Sequence, residues 1–251
     1  MIKKTIALFL VASLSYLLAL VIYMPVSFAW QYAQNWLPKN ELPVRVQQTN
    51  GTLWLGEALL QSRFLAGVMS WELDPLNFIS DDPIVRLNFR SDKVDLKTKG
   101  MINGTDLVRV DGDLKMDLSA INPMLKQHRL DLSGVLDIRQ LQTLIDTNSG
   151  QPKEIKGLAK WEGGTVSYPL GRQVQTTDMP PLIGKFVQSG ENIALDVSEE
   201  ASGLLVMQAQ LTPAGVVNIQ IRKRLLDLAG APWSGNSDPD DIVFKIQQKV
   251  I

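Results

Sequence analysis

From Val108 to Leu118 the chain alternates without a break. Val108, Val110, Gly112, Leu114, Met116 and Leu118 fall on one side, with Arg109, Asp111, Asp113, Lys115 and Asp117 between them. A helix advances about 100° per residue and would spread these apolar positions around its axis, whereas a strand gathers them on one face. The segment is therefore read as a half-buried strand, one face packed and one wet. Strands of a parallel sheet are covered on both faces and read as continuous apolar runs, so this alternation points to an antiparallel sheet.

The same period recurs downstream. Leu130, Leu132, Gly134, Leu136 and Ile138 alternate with Arg129, Asp131, Ser133 and Asp137. Shorter copies lie at 85–89, 94–96, 193–197, 205–211, 217–221 and 242–246. Turn chemistry separates them at Asn103-Gly104, Asn148-Ser149-Gly150, Gly163-Gly164, Ser189-Gly190 and Pro213-Ala214-Gly215. Helical spacing is scarce: Leu141, Leu144 and Ile145 suit one short helix, and Asn122 to Gln127 another. The fold class expected is mainly β, an antiparallel domain built either as a curled sheet or as a sandwich, since both show the same alternation.

The amino-terminal segment is different in kind. Lys3 and Lys4 form a basic head, and no charge follows from Ile6 to Met24. As a helix that stretch is about 28 Å long, close to the hydrocarbon thickness of a bilayer. Ile6, Leu8, Leu14, Leu17, Leu18 and Val21 would face lipid, and the two lysines would hold the amino terminus in the cytoplasm. Tyr23, Phe28, Trp30, Tyr32 and Trp36 would meet the opposite interface as an aromatic belt. A cleaved signal peptide is the rival, because Ser27-Phe28-Ala29 suits a signal peptidase. The apolar stretch is longer than the roughly 7–15 residues of a signal core, which favours an anchor. Either way the remainder is exported. The expected layout is a cytoplasmic head at 1–5, an anchor at 6–25, a linker at 26–42 and a β-rich domain at 43–251. The polar connection Thr147 to Glu154 divides that domain into a weak repeat, 43–146 and 155–251.

Composition narrows the function classes. Hydrophobic residues make up 45% and charged residues 20%, the balance of a folded chain. The net charge of -1 provides no field for nucleic acid. There are no cysteines, which excludes disulfides, thiol catalysis and Cys-ligated metal. The one histidine, His128, has neither a nucleophile motif nor clustered metal ligands beside it. Asp111, Asp113 and Asp117 read as a solvated strand face, balanced by Arg109 and Lys115. Asp238, Asp240 and Asp241 lack the spacing of a calcium loop. No phosphate loop or dinucleotide fingerprint is present. The expectation is a protein that is not an enzyme and has no cofactor.

Trp54, Trp71, Trp161 and Trp233 stand near glycine or proline at strand ends and turns. With Phe244 they are the candidate contact residues, since large aromatics dominate binding hot spots. The alternative is that they plug the ends of the sheet.

Five segments resemble, in order, the protein N component of the type II secretion system. They are Gly51-Thr52-Leu53-Trp54-Leu55-Gly56-Glu57-Ala58; Ser70-Trp71-Glu72-Leu73-Asp74-Pro75-Leu76; Trp161-Glu162-Gly163-Gly164; Met179-Pro180-Pro181-Leu182-Ile183-Gly184; and Ala229-Gly230-Ala231-Pro232-Trp233-Ser234-Gly235 leading to Pro239-Asp240-Asp241-Ile242-Val243-Phe244. The resemblance implies a single-pass inner-membrane subunit with its main domain in the periplasm of a Gram-negative bacterium. It implies contacts with the inner-membrane platform or with a subunit linking it to the secretin. The family is also distantly similar to AsmA-type periplasmic proteins, whose curled sheet forms an apolar groove, so phospholipid is a further candidate ligand.

Overall fold

The computed structural model of the protein describes residues 2–33, 44–62, 64–74, 77, 83–103, 106–190 and 192–249. Two helices open the chain, α1 (Ile2–Ile22) and α2 (Val26–Ala33). Phe9, Leu10, Leu14, Leu17, Leu18 and Val21 are all exposed, so the described part of α1 is apolar on every side and uncovered by the other described residues. The part of α1 with described side chains, 9–22, is shorter than the roughly 20 residues a span requires. Among the described residues, no helix is long and apolar enough to cross a membrane. The stretch expected as a linker begins with α2, which lies against the first strand. Its remainder from residue 34, including Trp36, falls outside the described residues.

Everything after that is dominated by one sheet. Its strands are β1 (Val44–Gly51), β2 (Leu55–Ser62), β3 (Ala66–Leu73), β4 (Ile84–Arg90), β5 (Val94–Asn103) and β6 (Leu107–Asp117). It continues through β8 (Val135–Asp146), β9 (Pro152–Trp161), β12 (Leu182–Ser189), β13 (Asn192–Glu199), β14 (Leu205–Leu211), β15 (Val216–Arg222) and β16 (Ile242–Lys249). These 13 strands lie side by side in chain order, every neighbour antiparallel. β1 and β16 are its two edges and do not pair, so the sheet is open and is not a closed barrel. The excursions β7 (Asp131–Leu132), β10 (Gly164–Leu170) and β11 (Gln173–Met179) form a separate three-stranded sheet in the order β11-β10-β7.

Local chemistry explains where the alternation is interrupted. The run Leu130 to Ile138 is two strands, not one. Gly134 has φ +92 and lies so close to Gly163 that a Cβ there would stand 2.0 Å from its carbonyl oxygen. The chain therefore leaves the small sheet at Ser133 and enters β8 at Val135. The helix expected at Leu141 to Ile145 is strand as well, part of β8. Asn122 to Gln127 does turn helical: α3 (Asn122–Leu125) continues into a 3-10 turn at Lys126–His128. Asn122 is buried and pins this segment. Its Nδ2 donates to Asp131 Oδ1 at 2.8 Å and to Leu132 O at 2.9 Å, while its Oδ1 accepts from Leu132 N at 2.9 Å.

The expected turns hold at Asn148-Ser149-Gly150, Gly163-Gly164, Ser189-Gly190 and Pro213-Ala214-Gly215. At the first, Asp146 Oδ1 accepts from Asn148 N and Ser149 N, closing the β8–β9 hairpin. Gly104 of the Asn103-Gly104 turn lies outside the described residues.

Deep burial is concentrated near the carboxyl-terminal half. Ile193, Ala194 and Val197 of β13 and Val206 of β14 are buried. A last helix, α4 (Lys223–Leu228), lies against β14 and β15. The small sheet is tied to the segment after it, with Tyr168 Oη donating to Ala229 O at 3.2 Å. Elsewhere most apolar side chains are only half-buried.

Candidate interaction surface

Because opposed residues in an antiparallel pair share a face, the register can be followed across the whole sheet. One row runs Thr49, Ala58, Met69, Phe89, Leu96, Leu114 and Ile138 from β1 to β8. It continues through Ala159, Gly184, Val197, Met207 and Ile221 to Phe244 on β16. Thirteen strands thus contribute one row, apolar from β2 onward. The adjoining rows add Trp71, Leu87, Leu136, Trp161, Phe186 and Leu195. Among the residues paired on this face, Glu199 at the end of β13 is the one charged residue.

The opposite face carries the charges, set against one another across strands. Glu72 faces Arg86, Asp95 faces Lys115, Lys97 faces Asp113 and Lys99 faces Asp111. Arg86 Nη1 to Glu72 Oε1 is 2.9 Å, with both side chains about half exposed. Such pairs contribute roughly 0–1 kcal/mol each; their main effect is to keep this face in water. The Arg139 hydrogen bond holds the Asp137 carboxyl below the usual carboxylate range.

The tryptophans sit where this sheet needs joints. Gly51 has φ +91, and Thr52 Oγ1 accepts from Trp54 N and Leu55 N, so the first motif builds the β1–β2 turn. That turn is also where the helices attach. Trp54 Nε1 donates to Val21 O at 2.9 Å, Leu53 N to Met24 O at 3.1 Å, and Pro25 bridges Thr52. Trp71 Nε1 donates to Leu53 O at 3.1 Å. Trp161 Nε1 donates to Ser133 O at 3.0 Å, tying the main sheet to the small one. Trp233 Nε1 donates to Ser237 Oγ at 3.3 Å, and its ring meets Phe244 edge-on with centroids 5.7 Å apart.

The candidate contact residues therefore form two pairs and a single, not one patch. Trp54 and Trp71 meet at Leu53, Trp233 and Phe244 meet at the last strand, and Trp161 stands between in the sheet. All four indole N–H groups donate within the chain. The predicted anchor residues Leu14, Leu17, Leu18 and Val21 lie exposed on α1. The side chains of Lys3, Lys4, Ile6 and Leu8 lie outside what is described. Sequence reading missed the unbroken row, because it depends on register between strands. The signal available was that every alternating run kept its charges at one parity.

His128 is exposed, with Nε2 3.2 Å from Gln127 Nε2. Among the described residues, no group of three or more His, Cys, Asp or Glu could hold a metal. Asp238 and Asp241 serve a turn, Asp238 N donating to Asp241 Oδ2 at 2.9 Å. Asp240 pairs with Arg224 at 2.8 Å, and that hydrogen bond depresses its pKa.

A family profile described as type II secretion system, protein N matches residues 43–233. The matched span runs from β1 through the Ala-Pro-Trp segment after α4. Neither the comparison with curated proteins nor that with solved structures yields a match. With most of its length matched, and the motif tryptophans and glycines placed at the joints of the sheet, this chain belongs to the type II secretion system protein N family.

Proposed function

We propose that the protein is a non-catalytic scaffold of the type II secretion apparatus, anchored in the inner membrane by α1 with its sheet in the periplasm. One observation carries this reading: an apolar helix whose described side chains are exposed is bonded directly to the first hairpin of a sheet that carries one apolar row from β2 to β16. A helix apolar all round requires an apolar medium, and a bilayer supplies one. The Trp54–Val21 bond then sets the sheet at a fixed distance from the membrane surface. There its edges meet the platform or a subunit linking it to the secretin. Mild crosslinking in native membranes, followed by purification and mass spectrometry, tests this. Recovery of secretion subunits supports it, and their absence from a crosslinked preparation overturns it. Protease added to spheroplasts should remove the sheet and spare α1; a protected sheet would overturn the topology.

The apolar face, with Glu199 its one charged paired residue, favours a second reading, in which acyl chains of phospholipid occupy it. Stoichiometric phospholipid in the same preparation, with secretion subunits absent, is the result that would choose it.

A further inference from the structure

The outward charges change character along the sheet. From β3 to β13 many of them are answered across strands: Glu72 by Arg86, Asp95 by Lys115, Asp137 by Lys160 and Lys185 by Asp196. β14 and β15 then carry neutral amides on this face, Gln208 and Gln210 opposite Gln220 and Asn218, until Arg222 ends β15. β16 restores charge, and of one sign. Lys245 lies opposite Gln220 and Lys249 opposite Val216, so neither faces an acid across the pair. No ion pair is made by either among the described residues. Both are exposed, as are Phe244 and Ile246, which flank Lys245 in sequence. Among the described residues no strand pairs with the outer side of β16, which is an edge of the sheet.

We propose that the free edge of β16 is a strand-addition site for an extended segment of a partner protein with carboxylates at positions i and i+4. The spacing follows from the lysines, which are four residues apart on one face. In an antiparallel addition, with i opposite Lys249 and i+4 opposite Lys245, positions i+3 and i+5 of the incoming strand fall on the other face and continue the apolar row beside Ile246 and Phe244. The backbone ladder supplies affinity, and the two charge pairs supply selection.

A second copy of the chain fits poorly. Another β16 brings the same two lysines and no acid. β1 brings Arg45, Gln48 and Asn50 to the equivalent face, again without an acid, and already has α2 against it. Lysines at an edge thus exclude self-pairing and admit an acidic strand, which is specificity by repulsion and attraction together.

The proposal rests on the scaffold reading and names the edge and the chemistry through which it works. The full chain in mild detergent is titrated with two synthetic ten-residue peptides, one alternating valine with glutamate and one alternating valine with lysine. The glutamate peptide should bind, more weakly as salt rises, and the lysine peptide should not. In the variant K245E/K249E the preference should reverse, with glutamate-peptide affinity falling about tenfold. Binding of neither peptide, or a preference unmoved by the reversal, overturns the proposal. Crosslinking of the same variant in native membranes separates the two claims. If it retains the subunits that the wild type recovers, the edge site is wrong and the scaffold stands. If the wild type itself recovers none, the scaffold reading fails.

Discussion

Trp71 on β3 lies against Gly56 on β2, so closely that a Cβ on residue 56 would stand 2.5 Å from Trp71 Cζ2. The two are opposed across the strand pair on the apolar face. Glycine there is a packing requirement, because the indole occupies the space a side chain would take. Gly100 stands on the same face with its nearest neighbours at 3.8 and 4.0 Å. Gly56→Ala should therefore destabilise by about 1–3 kcal/mol, and Gly100→Ala should be neutral or slightly stabilising. Urea unfolding of the two variants, followed by tryptophan fluorescence, checks the contrast.

Trp54→Phe keeps a ring at the helix–sheet joint and removes the donor to Val21 O. The expected loss is about 0.5–1.5 kcal/mol of attachment between α1 and the β1–β2 turn. Limited proteolysis should then cut faster between residues 22 and 26, while the fluorescence of the unfolding sheet stays nearly unchanged. Unaltered cleavage would mean that the backbone bonds of Leu53 and Pro25 hold the joint unaided.

Phe244 and Trp233 meet edge to face, a geometry that contributes about 0.5–1.5 kcal/mol beyond burial. A double-mutant cycle with Phe244→Leu and Trp233→Leu should return a coupling energy in that range. A value near zero would assign Phe244 to the open edge alone.

Gln140 holds φ +52 in β8, where its backbone N–H donates to Asp113 Oδ1 at 2.8 Å. Left-handed backbone costs a side-chain-bearing residue about 1 kcal/mol that glycine avoids, and the hydrogen bond belongs to the backbone. Gln140→Gly should raise the thermal midpoint by a few degrees in a scanning calorimeter. A lowered midpoint would mean the side chain contributes packing at this bulge.

That bulge also explains what the sequence concealed. Ile138 and Leu141 are three residues apart, yet both lie on the apolar face, opposite Leu114 and Gly112. The extra residue at 139–140 shifts the phase, so apolar positions with helix-like spacing are part of a strand. The long run at 108–118 was legible because β6 pairs regularly with β5 along its whole length. The split at Gly134 was not, since it depends on Trp161 and Gly163, some thirty residues away. Of the candidate site, the aromatic residues were visible as sequence motifs, but their assignment to joints required the partners of each indole. The lysines of β16 carried no motif at all. They gain meaning only from the neutral strands beside them.

Acid should weaken the fold through specific carboxylates. Asp117 Oδ1 accepts from Ser119 N at 2.8 Å, and this bond, then that of the Ser119 hydroxyl, holds its pKa below the ordinary value. Asp137 is depressed chiefly by its hydrogen bond from Arg139, and Asp146 by the backbone of Ser149. A depressed folded pKa contributes stability that is present above the unfolded value of about 3.9 and lost as pH falls through the folded one. Stability should therefore be level from pH 7 to about 5 and fall below about 4. Asp117→Asn should lower the plateau and make the acid fall shallower, as read from urea midpoints at pH 7 and pH 3.

Strand order has a consequence for how this protein is made. Nearly every strand of the large sheet finds its partner in the segment just before it, with detours only through β7 and through β10 and β11. Contacts so near in sequence close small loops, which lowers the entropy cost of each addition and speeds folding. The sheet can therefore grow one hairpin at a time while the chain is still emerging, with the earliest strands laid down beside the helices. β16 joins after the other twelve strands of this sheet, so the edge that admits a partner comes into being only once those strands are in place.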